Sequence, residues 1–170
     1  RAFRSDFRLT EKMIESQYLK DSVENIQKLM TLPPLRTFES KNLRHLLSLS
    51  KIREYEDGER IIREGDTDPW IYFLVSGKIG VRKDGVEIGI RDKVGEIFGE
   101  MRILDGLSRS ASVFAHGKTV CLAFDMSAAS HKLTSDERAD ILLLLYRVFT
   151  EYIAARLRLD PVNLELEAFL

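Results

Sequence analysis

Hydrophobic residues follow one spacing near the two ends of the chain and another in its middle. In the first 50 residues they recur every three or four positions, as on one face of a helix, at Leu19, Val23, Ile26 and Met30. We predict a helix that begins at a Thr10 cap and ends before Pro33-Pro34. A second helix, capped by Ser40, is predicted from the apolar residues Leu43, Leu46 and Leu47. The segment 1–50 is therefore predicted to be helical.

Residues 51–125 have a different pattern, in which short β-rich segments such as 71–75 and 112–115 alternate with glycines. These glycines lie 7 to 12 residues apart, at Gly58, Gly65, Gly77, Gly85, Gly95, Gly106 and Gly117. Asp84-Gly85, between two such segments, predicts a tight hairpin. Strands at this even spacing favour a β-sandwich or a jelly-roll barrel.

Residues 126–170 return to helical spacing. A helix is predicted from Ser135, whose acidic neighbours suit a helix N-terminus. Its apolar face is broad, and its members are Ile141, Leu142, Leu145, Val148, Phe149, Tyr152, Ile153, Ala155 and Leu157. A face this wide packs against two surfaces, which we take to be the barrel and a second subunit. Asp160-Pro161 interrupts the helix, and a further short helical piece is predicted from Asn163 to Leu170.

Composition and charge limit the classes of function that are expected for this chain. The 170 residues are 44% hydrophobic and 31% charged, with a net charge of −1, so the sequence is that of a globular domain without general attraction for nucleic acid or membrane. The single cysteine, Cys121, lies in an apolar stretch and is predicted to be buried in a protein of the cytoplasm. The three histidines have no metal-ligand spacing, and we find no catalytic motif, cofactor signature or membrane span. We therefore expect no enzyme. The absence of an initiating Met suggests a fragment of a longer protein.

The segment 95–113 carries the candidate chemistry. It has the form strand, glycine turn, short helix, glycine turn, strand, and the first amides of such a helix suit an anion. The Arg109 guanidinium could bind phosphate oxygens in a bidentate way, and the Glu100 carboxylate could accept hydrogen bonds from sugar hydroxyls. On residue types alone, a Glu–Arg surface pair on a barrel loop explains the same residues.

The order of these residues closely resembles the phosphate-binding cassette of the cyclic-nucleotide-binding domain family, the type found in the catabolite activator protein and in regulatory subunits of protein kinase A. The matching letters are FGE at 98–100, an apolar pair and glycine at 103–106, and RSASV at 109–113. The stretches 55–66 and 72–77 are similar to the family's first strands. The resemblance covers about residues 35–125, with the cassette at 97–113, and implies an eight-stranded β-roll with helices at both ends.

The resemblance also implies the site. The expected ligand-binding residues are Phe98, Gly99, Glu100, Met101, Arg109, Ser110 and Ala111. In the family the glutamate binds the ribose 2′-hydroxyl, and the arginine binds the phosphate oxygens. Barrel side chains flank the base, and a residue of the C-terminal helix covers it. The base-side and covering candidates are Ile88, Ile90, Arg158, Asp160 and Asn163.

Three features depart from the family pattern. Arg102 replaces a small residue, Ser108 replaces a frequent proline, and the linker 91–93 (Arg-Asp-Lys) is more charged than usual. Because Ser110 follows the cassette arginine, where cGMP-preferring members commonly have Thr, we expect cAMP to bind more tightly than cGMP. The resemblance implies a sensor in which ligand moves the C-terminal helix, and the broad apolar face from Ile141 to Leu157 suggests a homodimer through that helix. The alternatives are the ligand-binding part of a transcription regulator whose DNA-reading segment lies elsewhere, and a structural module with an unused pocket.

Overall fold

One antiparallel sheet organises the protein. The computed structural model describes residues 13–100 and 106–159. Within that part of the chain the strands are β1 Ile14–Glu15, β2 Ser50–Tyr55, β3 Arg60–Ile62, β4 Trp70–Lys83, β5 Val86–Arg91, β6 Ile97–Phe98 and β7 Ser112–Asp125. The strand order is β1-β2-β7-β4-β5, with β3 also paired to β7 and β6 paired to β4.

The two longest strands bend the sheet into a roll. β4 and β7 have 14 residues each, and their pairing shifts register between Leu74 and Lys78. Such bulges bend and twist a strand. Gly77 has a φ of 88°, and a Cβ there would collide with the Lys118 carbonyl oxygen. β4 and β7 are therefore bent near their middle, and the antiparallel sheet curves into the β-roll that the sequence predicts.

The predicted hairpin is present between β4 and β5. Asp84 has a φ of 50° and Gly85 a φ of 79°. Positive φ at both central residues defines a type I′ turn, whose twist matches that of the flanking strands. This turn fixes β5 as the outer strand beside β4.

The helices lie at both ends of the roll. They are α1 Val23–Met30, a 3₁₀ turn Pro33–Leu35, α2 Ser40–Ser48, α3 Ala129–Lys132 and α4 Ser135–Leu159. The predicted end of the first helix before Pro33 and the predicted helix over the 40s are confirmed. Leu43, Leu46 and Leu47 are buried, as expected for one face of α2.

The predicted start of the first helix is wrong. α1 begins after Ser22, whose Oγ accepts a hydrogen bond from the Asn25 amide at 3.1 Å. Leu19 instead lies in an extended segment, and its amide donates to the Ser50 carbonyl at 2.9 Å. Pairing of the segment 14–19 with β2 overrides the helical spacing, because propensity is weaker than tertiary contacts. Thr10 lies outside the described residues. Ser40 is the first residue of α2, so the cap position belongs to Glu39.

Three apolar clusters form the core of the described residues, and two of them are large. In the larger, α2 and α4 pack on the sheet, with Leu46 and Leu145 against Phe73 and Phe124. The smaller fills the roll and includes Cys121, which has no exposed surface. Burial raises the pKa of the Cys121 thiol to about 12, so the thiol is a packing group rather than a nucleophile. The prediction that this cysteine is buried is confirmed.

Candidate functional site

An open cleft lies where β6 meets the start of β7. Its lining residues are Ile62, Val81, Arg91, Phe98, Gly99, Glu100, Arg109, Ser110, Ala111 and Val113. The empty space, counted out to solvent, is about 510 Å³. A concave cleft that combines apolar side chains with a few polar and charged groups is the usual form of a small-molecule site.

The main chain of Arg109 is bound to the turn that follows β3. The Arg109 amide donates to the Asp66 carbonyl, and the Arg109 carbonyl accepts from the Gly65 amide, each at 2.8 Å. These two bonds fix the backbone just before β7, so the direction of the side chain is set by the strand and the turn together. The side chain points inward, and the residue is only 4% exposed.

Four hydrogen bonds hold the Arg109 guanidinium. Nε donates to Asp68 Oδ2 at 3.1 Å, and Nη2 donates to Asp68 Oδ1 at 2.5 Å. Nη1 donates to the Gly99 carbonyl at 2.6 Å, and Nη2 also donates to the Trp70 carbonyl. An arginine side chain has five N–H donors. Four are therefore engaged with protein groups, and the guanidinium is fixed at the cleft wall.

The Asp68 carboxylate keeps its charge beside Arg109. Burial by itself raises the pKa of Asp68, but the hydrogen bonds and the charge of Arg109 outweigh it and hold the pKa below its ordinary value. Asp68 and Arg109 are thus an ion pair at neutral pH. Asp68 lies just beyond the matched stretch that ends at Asp66, so the family pattern does not point to it.

Gly99 is required where it stands. Its φ is 79°, and a Cβ there would lie 2.9 Å from Arg109 Nη1 and 3.2 Å from Ile62 Cδ1. A side chain would be strained by the backbone conformation and would also press on the guanidinium. The glycine thus permits the close approach of its own carbonyl to Arg109.

Aromatic residues support the cleft from behind. The Phe98 ring is stacked on the Tyr72 ring, with centroids 5.1 Å apart and planes at 10°. The Trp70 ring lies under the Arg53 guanidinium at 3.9 Å, and Arg53 Nη1 donates to the Tyr72 hydroxyl at 2.9 Å. Trp70, whose carbonyl binds Arg109, therefore belongs to a rigid aromatic layer next to the ion pair.

The structure brings most of the predicted ligand-binding residues to one place. Six of them line the cleft: Phe98, Gly99, Glu100, Arg109, Ser110 and Ala111. Glu100 is 8% exposed and directly follows Gly99. Met101, Arg102 and the apolar pair at 103–104 lie outside the described residues.

The base-side candidates lie elsewhere. Ile88 and Ile90 are 63% and 52% exposed on β5 and are not among the lining residues. Since side chains alternate along a strand, Arg91 points into the cleft where these two do not, and Val81 of β4 supplies the apolar wall. Arg158 is exposed near the end of α4 and does not line the cleft. Asp160 and Asn163 lie outside the described residues.

The lining can recognise an anion attached to a polar ring system. Arg109 and Arg91 supply positive charge, Glu100 and Ser110 supply hydrogen-bonding oxygens, and the valines and isoleucine supply apolar contact. Over the ranges 13–100 and 106–159, no group of three potential metal ligands is found. None of the helices described there has the length and apolar character to cross a membrane.

Comparison with known proteins agrees with this site. The model of the cyclic nucleotide-binding domain matches residues 52–136, half of the chain. A cAMP-dependent protein kinase type II regulatory subunit of Drosophila melanogaster is 36% identical over 100 residues, which are 56% of this chain and 26% of that protein. The chain thus spans about a quarter of that relative's length.

Solved structures share the fold. The catabolite activator protein of Thermus thermophilus superposes with a TM-score of 0.57 at 28% identity, over 81% of this chain and 63% of that one. A cyclic nucleotide-binding domain from Methylobacillus flagellatus gives 0.64 at 18% identity, over 86% of each chain. The cleft lies within the matched segment, and its six gathered residues are those expected from the resemblance. This chain is a member of the cyclic nucleotide-binding domain family.

Proposed function

We propose that this domain is a non-enzymatic sensor of cyclic nucleotides that binds cAMP more tightly than cGMP and transmits binding to α4. The observation that carries the proposal is that Arg109 and Glu100 line one cleft, with Gly99 between the Glu100 backbone and the Arg109 guanidinium that binds its carbonyl. The relative from Drosophila, to which this chain is 36% identical over 100 residues, is named for dependence on cAMP.

In the proposed complex the cyclic phosphate binds Arg109, with help from the Ser110 hydroxyl and the Ala111 amide. One guanidinium donor remains after the four bonds described above, and a phosphate oxygen can share a second with Asp68. The ribose 2′-hydroxyl donates to Glu100. A carboxylate so near a phosphate is tolerable because Arg109 and Arg91 both contribute positive charge to the cleft.

Selectivity is expected to be modest. The side chain after the cassette arginine, Ser110, lines the cleft and has a hydroxyl that serves the phosphate in our proposal. One hydrogen-bond difference between adenine and guanine is worth about 1 kcal/mol, which is several-fold in affinity. We therefore expect a several-fold preference for cAMP.

Thermal melting with each nucleotide tests the proposal. Ligand at a hundred times its Kd adds about 2.7 kcal/mol of stability, and for a chain of this size that raises the Tm by roughly 5 °C. We expect this shift with cAMP, a smaller one with cGMP at equal concentration, and none with 5′-AMP, which lacks the cyclic phosphate. No shift with either cyclic nucleotide at millimolar concentration, in protein confirmed to be ligand-free, would contradict the proposal.

We also propose an oligomeric state for the protein. α4 buries Ile141, Leu145 and Phe149 on the roll, yet leaves Leu143 and Ile153 on its outer side 68% and 39% exposed. We propose that this outer side joins two copies in a homodimer.

The buried free thiol of Cys121 suits a reducing compartment, and we propose that the protein is located in the cytoplasm.

A second candidate is the ligand-binding part of a larger transcription regulator. The observation that favours it is the 28% identity to the catabolite activator protein of Thermus thermophilus, of which this chain covers 63%. The full reading frame decides between the two, since a regulator of this kind would carry a DNA-reading helix outside these 170 residues.

A further inference from the structure

Arg91, the last residue of β5, lies in the wall between the cleft and α4. On one side its side chain lines the cleft that holds Arg109 and Glu100. On the other it borders a second hollow, of about 640 Å³ counted out to solvent, whose lining includes Tyr152 and Ala155 of α4. In the sequence, Arg91 stands out only as part of an unusually charged linker.

The guanidinium of Arg91 is attached to α4 by a small polar triangle. Its Nη1 donates to the Tyr152 hydroxyl at 2.9 Å, and that hydroxyl donates to Glu96 Oε1 at 2.5 Å. Arg91 Nε lies 3.7 Å from the same Glu96 oxygen. A phenolic hydroxyl can accept and donate at once, so Tyr152 connects the cation to the carboxylate.

This triangle is a connection between two elements rather than part of an apolar core. Glu96 and Arg91 are mostly buried, with side chains 10% and 22% exposed, so the charges interact with little screening by solvent. Arg91 lines a hollow on each of its two sides. Its hydrogen bond to Tyr152 and its proximity to Glu96 hold the guanidinium between them.

We propose that Arg91 is a positioning residue that links a bound nucleotide to α4. Tyr152 and Glu96 engage one side of its guanidinium, and the N–H groups that face the cleft are suited to a hydrogen-bond acceptor on the ligand. A ligand acceptor there fixes the guanidinium, and the fixed guanidinium orders Tyr152 and the helix that carries it. The inference rests on the proposed function, because it needs cyclic nucleotide in the cleft.

The link is reciprocal. If nucleotide strengthens the contact between Arg91 and Tyr152, the contact must strengthen nucleotide binding by the same factor. Removal of the Tyr152 hydroxyl should therefore weaken nucleotide binding, although Tyr152 does not line the cleft. A single hydrogen bond of this kind corresponds to a change of about 3- to 10-fold in affinity.

The test uses cAMP and two matched variants of α4. Tyr152→Phe removes the hydroxyl of the triangle, and Tyr146→Phe removes one from the same helix, where the ring packs edge-on against Phe149. Amide hydrogen exchange of residues 141–155 and calorimetric affinity are measured with and without cAMP. We expect cAMP to slow exchange in the wild type and in Tyr146→Phe. In Tyr152→Phe this slowing is lost, and affinity falls about 3- to 10-fold.

Arg91→Ala and the double variant Arg91→Ala/Tyr152→Phe complete the cycle. We expect the double variant to bind cAMP no more weakly than Arg91→Ala alone, because both changes remove the same link. Additive losses, or a slowing of exchange that persists in Tyr152→Phe, would overturn the inference while leaving the sensor intact. A wild type that binds cAMP without any change in α4 would overturn it too. A wild type that binds no cyclic nucleotide would remove both the inference and the proposed function.

Discussion

The Asp68 carboxylate and the Arg109 guanidinium form a two-point ion pair, with contacts of 2.5 and 3.1 Å, at the wall of the nucleotide cleft. The Arg109 side chain is 3% exposed and that of Asp68 is 32% exposed. The acid thus holds the arginine in place and also competes with any anion that enters. Removal of the Asp68 charge should therefore affect both the stability of the free protein and the binding of an anion.

Asp68→Asn should lower the stability of the free protein and enlarge the gain from ligand. Loss of the paired charge leaves Arg109 without its carboxylate, and because Asp68 is partly exposed we expect a cost of about 1–3 kcal/mol. Bound phosphate then supplies a replacement anion, so the rise in Tm on adding cAMP should exceed that of the wild type. Asp66→Asn, at an exposed position of the same turn, is the control. An unchanged rise in Tm would show that Asp68 does not compete with the ligand.

Arg109→Ala should weaken cAMP binding by about 2–4 kcal/mol, which is roughly 30- to 1,000-fold, because the phosphate charge would lie in the cleft without its partner. Arg109→Lys keeps the charge but lacks the planar fork, and we expect it to recover only part of the affinity. Calorimetry on variants shown to be folded measures both. An affinity equal to the wild type in folded Arg109→Ala would show that the phosphate binds elsewhere.

Glu100→Ala should cost about 1–2 kcal/mol of cAMP affinity, the value of one charged hydrogen bond to the ribose. The same variant should lose almost nothing with 2′-deoxy-cAMP, which lacks the hydroxyl that Glu100 binds in our proposal. Titration of wild type and variant with both ligands completes the cycle. Equal losses with the two ligands would assign Glu100 a structural role instead.

Acid should destabilise the protein partly through Asp68. Because the pKa of Asp68 in the folded protein is lowered by Arg109, the pair stabilises the fold fully above the ordinary aspartate pKa of about 3.9. Its contribution is lost as the pH falls below that value and through the folded pKa. Denaturant melts of wild type and Asp68→Asn between pH 7 and pH 3 should therefore converge toward the acid end. A difference that stays constant over this range would contradict the ion pair.

Leu143→Glu should dissociate the proposed homodimer without unfolding the domain, because this side chain is exposed on the outer side of α4. Sedimentation equilibrium of wild type and variant, at high protein concentration and with cAMP, measures the mass. A monomeric wild type under both conditions would contradict the dimer.

Short-range signals in the sequence were enough for most of the fold. The spacing of glycines, the Asp84-Gly85 turn and the helical spacing after Ser135 each act over a few residues, and each is confirmed. The first helix was misplaced because its extended neighbour is held by β2, which is some 35 residues away. Such a contact leaves no local pattern.

The site, like the fold, was predictable where its residues lie close together in the sequence and not where they are far apart. The order of residues at 98–113 identified Arg109 and Glu100, because the family pattern keeps them in one continuous stretch. The sequence does not indicate the partners of Asp68 and Tyr152, because they are distant in the chain: 41 residues separate Asp68 from Arg109, and 61 separate Arg91 from Tyr152. Apolar character favours Ile88 and Ile90 for the base-side wall, whereas strand alternation places Arg91 on the cleft side.

The position of Trp70 has a practical consequence. It is the single tryptophan of the chain, its carbonyl accepts from Arg109, and its ring lies against the Arg53 guanidinium. Indole fluorescence is sensitive to nearby charges and to polarity, so a change in the ion pair alters the emission of this one fluorophore. The domain therefore carries an intrinsic optical reporter beside its cleft, and rapid mixing with nucleotide can follow occupancy in real time without a label.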